Sequence, residues 1–363
     1  MQTQAAIAQA PDVPFAIETI ELDEPREQEV LVRLVATGIC HTDLALKASG
    51  RFTPGVLGHE GAGVIERVGS AVRGLAPGDH VVLSYFACHH CSECVSGHTA
   101  YCENGFVPNY GGGRADGSHP VSWNGQPIPS NFFNQSSFAR HAIAHQNNAV
   151  KVPADLPLEM LGPLGCGFQT GAGAVLNAFK LQPGQSLAVF GAGAVGLAAV
   201  MAAKAAGAQV IVAVDLNADR LALSRELGAT HAIKGDEQDA VAAIKQAAPG
   251  GVDFSLECIG SPAVLRQAFD SLKPLGSCGL LGVSAPGKEV AIEMNSLLQG
   301  RRLLGLIEGD SDPQRFVPQM IELYRAGRFP FDRLVAFYPF ENINQAIADM
   351  ASGKTIKPVL RMT

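Results

Sequence analysis

Gly191-Ala192-Gly193-Ala194-Val195-Gly196 follows the apolar run Ser186–Phe190 and opens an Ala-rich stretch that reaches Ala206. In a strand-to-helix turn the three glycines have separate jobs. The first permits the tight turn, the second lets a pyrophosphate approach the backbone, and the third packs helix on strand. The helix start offers free N–H groups and positive dipole to phosphates. In a chain with 40 glycines the spacing alone is weak, and its surroundings give it weight. Asp215 stands nineteen residues after Gly196, at the end of the next apolar run, Gln209–Val214. A carboxylate there accepts hydrogen bonds from ribose hydroxyls and repels a 2′-phosphate, so NAD is expected over NADP.

The rest of the middle third keeps the same rhythm. Helical runs at Ala218–Leu227, Asp239–Ala247 and Ala263–Leu272 alternate with β runs at His231–Ile233, Val252–Glu257 and Ser277–Leu281. That alternation predicts an α/β doubly wound parallel sheet with helices on both faces. The first third reads differently. Glu29–Ala36, Gly61–Val68 and His80–Ser84 are β runs bounded by Gly, Pro and Asp, and few helical patterns precede residue 155. The Gly-, Pro- and Asn-rich stretch Asn104–Gln135 reads as one long functional loop. Helices are expected at Gln314–Ala326 and Ile343–Ser352, and a closing strand at Pro358–Met362. A chain of 363 residues exceeds the ~250–300 that one core supports, so two domains are expected. The first takes 1–167 and is completed by 307–363, and the second takes 168–306.

Eight cysteines are present, and four crowd into Cys88-x2-Cys91-x2-Cys94-x7-Cys102. Four thiolates with no open position describe a structural zinc site. An iron–sulfur cluster of the bacterial type calls for a three-residue last gap and a following proline, whereas here the gap is seven and Glu103 follows. His89, His90 and His98 share the lobe, but four thiolates already fill a tetrahedron, so these read as solvated loop residues. Cys258 and Cys278 read as small core hydrophobes. Cys40, His59 and Cys166 each lie in a glycine-bearing turn, and two thiolates with one imidazole leave a zinc ion one open position.

Net charge is −7 and no Lys/Arg-rich run occurs, which argues against a nucleic-acid surface. The first ten residues show no basic region followed by an apolar one, and the apolar stretch Leu187–Ala206 is interrupted by Gly and Lys. A cytoplasmic location with no membrane partner is therefore expected.

Gly58-His59-Glu60-Gly61-Ala62-Gly63, the four-cysteine lobe and the dinucleotide fingerprint occur in the order of the zinc-containing medium-chain alcohol dehydrogenases. The chain resembles that family over essentially its whole length. The resemblance implies a GroES-like β-rich catalytic domain, a Rossmann NAD-binding domain and an active site in the cleft between them. It implies two zinc ions per chain, one catalytic on Cys40, His59 and Cys166, and one structural on Cys88, Cys91, Cys94 and Cys102. By the same resemblance Glu60 approaches the metal, Asp43 orients the ligating His59, and Thr42 takes the alcohol proton. His41 and Lys357 contact the pyrophosphate, and Arg220 the adenosine ribose. Many animal members carry a histidine where this chain has Ala45, so the outer proton route differs here. Phe132-Phe133-Asn134-Gln135-Ser136-Ser137-Phe138 and Ile307-Glu308-Gly309-Asp310 look like the bacterial aryl-alcohol (benzyl alcohol) dehydrogenases. The activity so implied is oxidation of primary alcohols to aldehydes with NAD, in a homo-oligomer, dimer or tetramer. Alternatives are a glutathione-adduct formaldehyde or polyol dehydrogenase on the same fold, or a catalytically silent NAD-binding protein.

Overall fold

Strand Glu29–Gly38 organises the first unit of the fold. The computed structural model describes residues 1–362. Its first unit comprises Met1–Cys166, Asp312–Pro318 and the chain from Asp332 onward. Glu29–Gly38 pairs antiparallel with Gly61–Val68 along one edge, and with His141–His145 and Lys357–Arg361 along the other. With neighbours on both edges it is mostly buried rather than alternating. Its sheet runs Ala149–Lys151, His80–Leu83, Gly61–Val68, Glu29–Gly38, Lys357–Arg361, Val335–Pro339. A second sheet runs Gly55–Val56, Gln2–Ala8, Ala16–Leu22, Val121–Trp123, Gln126–Pro127. One apolar cluster draws on both, with Ile7 and Ile20 from the second and Leu31 and Val81 from the first. Each such side chain contributes about 1.5–3 kcal/mol by leaving water.

Two features of this unit differ from the sequence reading. A helix, His41–Ala48, stands where none is expected. The stretch 104–135 is not one structureless loop. It holds the helix Phe106–Tyr110 and the hairpin Val121–Trp123/Gln126–Pro127. Buried Arg114 ties it down, donating to Glu29 and to Asp23, each at 2.8 Å.

The second unit comprises Gly167–Ser311 and Gln319–Phe331. Its six strands are all parallel, in the order His231–Lys234, Val210–Asp215, Ser186–Phe190, Val252–Glu257, Leu272–Leu280, Arg302–Gly305. Numbered within the unit this is 3-2-1-4-5-6, the doubly wound order. Ser186–Phe190 is buried at every position, as a strand covered on both faces must be. Side chains start the helices cleanly. Asn217 accepts from the backbone N–H of Asp219 and Arg220, and Asp239 from those of Val241 and Ala242. Val252–Glu257 and Ala218–Leu227 fall where the sequence pattern places them. The strand expected at Ser277–Leu281 begins earlier, at Leu272, and the edge strand Arg302–Gly305 was not anticipated. Among the described residues no helix is long and apolar enough to cross a membrane.

Candidate active site

The helix His41–Ala48 begins beside Cys40, and Asp43 explains why it begins there. Asp43 is buried, and its Oδ2 accepts from the Cys40 N–H at 3.0 Å, which satisfies an end group of the helix. Its other oxygen, Oδ1, accepts from Gly58 N–H at 3.0 Å and from His59 Nδ1 at 2.9 Å. One carboxylate therefore joins Cys40 to the Gly58–His59 turn, eighteen and nineteen positions further along the chain. Gly58 sits at φ +92°, a conformation that favours glycine.

With Nδ1–H donated to Asp43, His59 presents a bare Nε2, and that atom is buried with no hydrogen-bond partner. A buried acceptor left unpaired is costly, so it marks the place of a missing electrophile. The ligand atoms of Cys40, His59, Glu60 and Cys166 all lie within 4.8 Å of one another. A hydrogen bond with Cys166 draws the Cys40 thiol well below its usual range against the opposing effect of burial, and His59 and Lys357 assist. Two sulfurs, one imidazole and a carboxylate in reserve fit a zinc ion. Burial opposes a proton on His59, yet the Asp43 carboxylate outweighs it and holds the imidazole well above its ordinary value. A metal must compete with that proton for Nε2. Thr42 Oγ1 lies 3.6 Å from Cys40 Sγ, so its hydroxyl borders the cluster.

Glu60 and Lys357 form a buried ion pair that the sequence does not reveal. Lys357 Nζ donates to Glu60 Oε1 at 2.8 Å, to Oε2 at 2.9 Å and to the Ile39 carbonyl at 3.1 Å. Burial pushes the Glu60 carboxyl up, while the Glu60 charge holds Lys357 up against burial. Lys357, expected at the pyrophosphate, is paired with Glu60 in this structure. Gly38 makes room for the pair, since a Cβ there would come within 2.0 Å of Glu60 Oε2. His41, the other expected pyrophosphate contact, is exposed at the first position of its helix.

The four-cysteine lobe forms a second cluster, with all four sulfurs within 4.8 Å of one another. Cys88 and Cys94 sulfurs stand 3.9 Å apart, and those of Cys91 and Cys102 4.0 Å apart. A tetrahedral zinc with bonds of ~2.3 Å needs an edge of about 3.8 Å. Backbone N–H groups of His90 and Cys91 and the Asn104 amide point at Cys88 Sγ. Burial disfavours the thiolate, but these donors bring the Cys88 thiol down to about 5, while burial and Cys91 push Cys94 up. Four sulfurs this close ionise together only around a cation. None of the eight cysteines is in a disulfide.

In the second unit the fingerprint turn lies at the carboxyl end of Ser186–Phe190, where the strand order reverses. Gly191 has φ +100°, and a Cβ on Gly196 would meet the Gly191 carbonyl at 1.8 Å. A Cβ on Gly193 would meet nothing within 4 Å, which leaves the backbone open to a pyrophosphate. Asp215 accepts from Ala192 N–H at 2.6 Å and Asn217 N–H at 2.8 Å, which orients its carboxylate and leaves lone pairs for ribose hydroxyls. Arg220, on the first turn of the next helix, has a buried Nε with no partner.

Residues 26–154 match the model of the alcohol dehydrogenase GroES-like domain, and residues 194–326 that of the zinc-binding dehydrogenases. The geraniol dehydrogenase of Castellaniella defragrans is 47% identical over 364 residues, covering 99% of this chain and 98% of that protein. The chain belongs to the zinc-binding medium-chain alcohol dehydrogenase family. Two solved structures resemble this dehydrogenase throughout. One is an alcohol dehydrogenase zinc-binding domain protein from Burkholderia ambifaria, with TM-score 0.98 and 54% identity over 100% of this chain and 99% of that one. The other is the benzyl alcohol dehydrogenase of Acinetobacter calcoaceticus, with TM-score 0.97 and 45% identity over 100% of both chains. What the sequence reading of this dehydrogenase missed is the packing on its imidazole. The rings of Phe132 and Phe133 lie 4.8 and 4.7 Å from that of His59, and Tyr110 lies 5.4 Å from Phe133.

Proposed function

We propose that this dehydrogenase oxidises primary alcohols whose neighbouring carbon is unsaturated, benzylic and allylic alcohols, to aldehydes with NAD⁺ as acceptor. The observation that carries the reading is the bare, buried Nε2 of His59 among Cys40, Cys166 and Glu60, with the Thr42 hydroxyl at its border. Zinc, when bound by Cys40, His59 and Cys166, supplies a Lewis acid for the alcohol oxygen, and NAD⁺ supplies the hydride acceptor. The residues do the rest. Asp43 keeps His59 in the tautomer that leaves Nε2 free. Thr42 both accepts and donates, so it carries the hydroxyl proton outward as hydride leaves the alcohol carbon. The products are aldehyde, NADH and one proton.

The substrate class rests on similarity to a geraniol and a benzyl alcohol dehydrogenase, since both named alcohols are primary with an unsaturated neighbour. The aromatic rings beside His59 suit such a substrate. Benzyl alcohol and geraniol are expected to exceed ethanol in kcat/KM by at least about 10²-fold, because each methylene-sized apolar group adds roughly 1–3 kcal/mol in a fitted pocket. Initial rates at 340 nm with the three alcohols test this, and equal or better use of ethanol sinks the assignment.

NAD⁺ preference follows from Asp215 as a proposal of the same kind. In the native enzyme NAD⁺ should greatly exceed NADP⁺ in kcat/KM. Asp215→Ser should narrow the ratio from both sides, weakening NAD⁺ and admitting the 2′-phosphate. A native enzyme that uses both cofactors equally well contradicts the role given to Asp215.

A further inference from the structure

Residues 131–136 hold an unusual backbone. Asn131, Phe133, Asn134 and Ser136 have φ of 65°, 50°, 53° and 51°, all in the left-handed region and none of them glycine. Such a run persists only where surrounding contacts over-determine it. Here Asn148 donates to the Phe133 and Asn134 carbonyls at 3.3 and 3.1 Å. Ser136 Oγ accepts from Phe132 N–H at 2.9 Å and donates to the Val56 carbonyl at 2.7 Å. The product of this contortion is one side chain. Gln135 is 2% exposed, and every function of its amide is used. Oε1 accepts from Gly61 N–H at 3.1 Å, and Nε2 donates to the His59 carbonyl at 3.0 Å and the Ser84 carbonyl at 3.2 Å. Ser84 Oγ in turn donates to the Gly165 carbonyl at 2.6 Å, one residue before Cys166.

A continuous buried path thus runs from His59 through Gln135, Ser84 and Gly165 to Cys166. These two metal-site residues are 107 positions apart in the sequence. Asp43 fixes His59 to Cys40. We infer that Gln135 is a positioning residue of the metal centre, setting the distance between His59 and Cys166. The inference rests on the reading that Cys40, His59 and Cys166 hold the catalytic metal. Gln135 touches no reacting atom. Its effect passes through the main chain, and the same segment presses the Phe132 and Phe133 rings onto the imidazole.

The test uses the full-length enzyme with Co²⁺ exchanged for zinc, and reads the visible spectrum and the rate of cobalt loss to a chelator. The part of both signals that Cys40→Ser removes reports the catalytic centre. Gln135→Met keeps length and volume but removes all three hydrogen bonds. It should shift that Cys40-dependent spectrum and speed the matching cobalt loss by about tenfold or more, the usual scale for partners that orient ligands. Binding of NADH should not change. If Gln135→Met does not fold, Ser84→Ala breaks the path at its other end and should shift the spectrum in the same direction. A Cys40-dependent spectrum and release rate left at wild-type values by the folded variant overturn the inference alone. A wild-type spectrum that Cys40→Ser leaves intact overturns the metal-site reading and the inference with it.

Discussion

Cys40→Ala should abolish turnover and leave a folded protein that still binds NADH. The sulfur of Cys40 contributes one corner of the cluster with His59 and Cys166, and among the described residues the cluster holds no third thiol. Glu60 is the only other ligand atom in the cluster, and its carboxylate is taken up by Lys357 at 2.8 and 2.9 Å. A Lewis acid contributes several kcal/mol to the transition state, so its loss should lower kcat by about 10³-fold or more. Folding should survive because the Asp43 carboxylate holds the backbone N–H of residue 40, a bond that alanine keeps. The paired variant Cys91→Ala should do the opposite, with a large fall in melting temperature, since a four-thiolate site contributes folding energy directly. Zinc content should fall from two per chain to one in each variant. The measurements are steady-state rates, NADH fluorescence, thermal melts and metal analysis on the same preparations. Cys40→Ala with native turnover defeats the catalytic assignment, and iron with sulfide in the native protein defeats the structural one.

Thr42→Val should lower kcat by at least about 10²-fold, the lower end for a positioned proton-transfer group. Thr42→Ser should keep most of the activity. The pair separates the hydroxyl from the shape of the side chain, since Val retains the branch and Ser retains the oxygen. Thr42 is half-buried on the first turn of His41–Ala48, with its oxygen 3.6 Å from Cys40 Sγ. Ala45 follows at i+3 on the same face but carries no titratable atom, so a proton leaving Thr42 has no imidazole to receive it there. The loss should fall on kcat rather than on KM for NAD⁺, because a proton-transfer group acts in the transition state. Near-normal kcat in Thr42→Val at neutral pH would mean that water reaches the alcohol directly.

The doubly wound sheet was legible because its central strands, Ser186–Phe190 and Val210–Asp215, are short, mostly apolar runs that alternate with helical ones. Ser186–Phe190 is buried at every position, and burial on both faces leaves no alternation to misread. The two cysteine-bearing clusters were legible for a different reason. Thiol spacing in Cys88–Cys102 is local, and Cys40, His59 and Cys166 sit in glycine turns that a family resemblance could match. The helix His41–Ala48 escaped because a cysteine is a poor start signal. Its true start signal is Asp43 reaching back to the residue 40 N–H, which looks from the sequence like any acidic residue in a turn.

The sequence by itself determined the alternating strands and helices of the middle third and which side chains have metal-binding chemistry, since these depend on neighbours a few positions away. Only the tertiary structure decided that Lys357 meets Glu60, and that Gln135 bridges His59 and Ser84. The partners in these pairs are 297, 76 and 51 positions apart, and nothing periodic connects them. A lysine or a glutamine carries the same polar atoms whatever it meets. Its partner is selected by the packing of Lys357–Arg361 and Gly61–Val68 on either edge of Glu29–Gly38, and burial then requires each polar atom to find one.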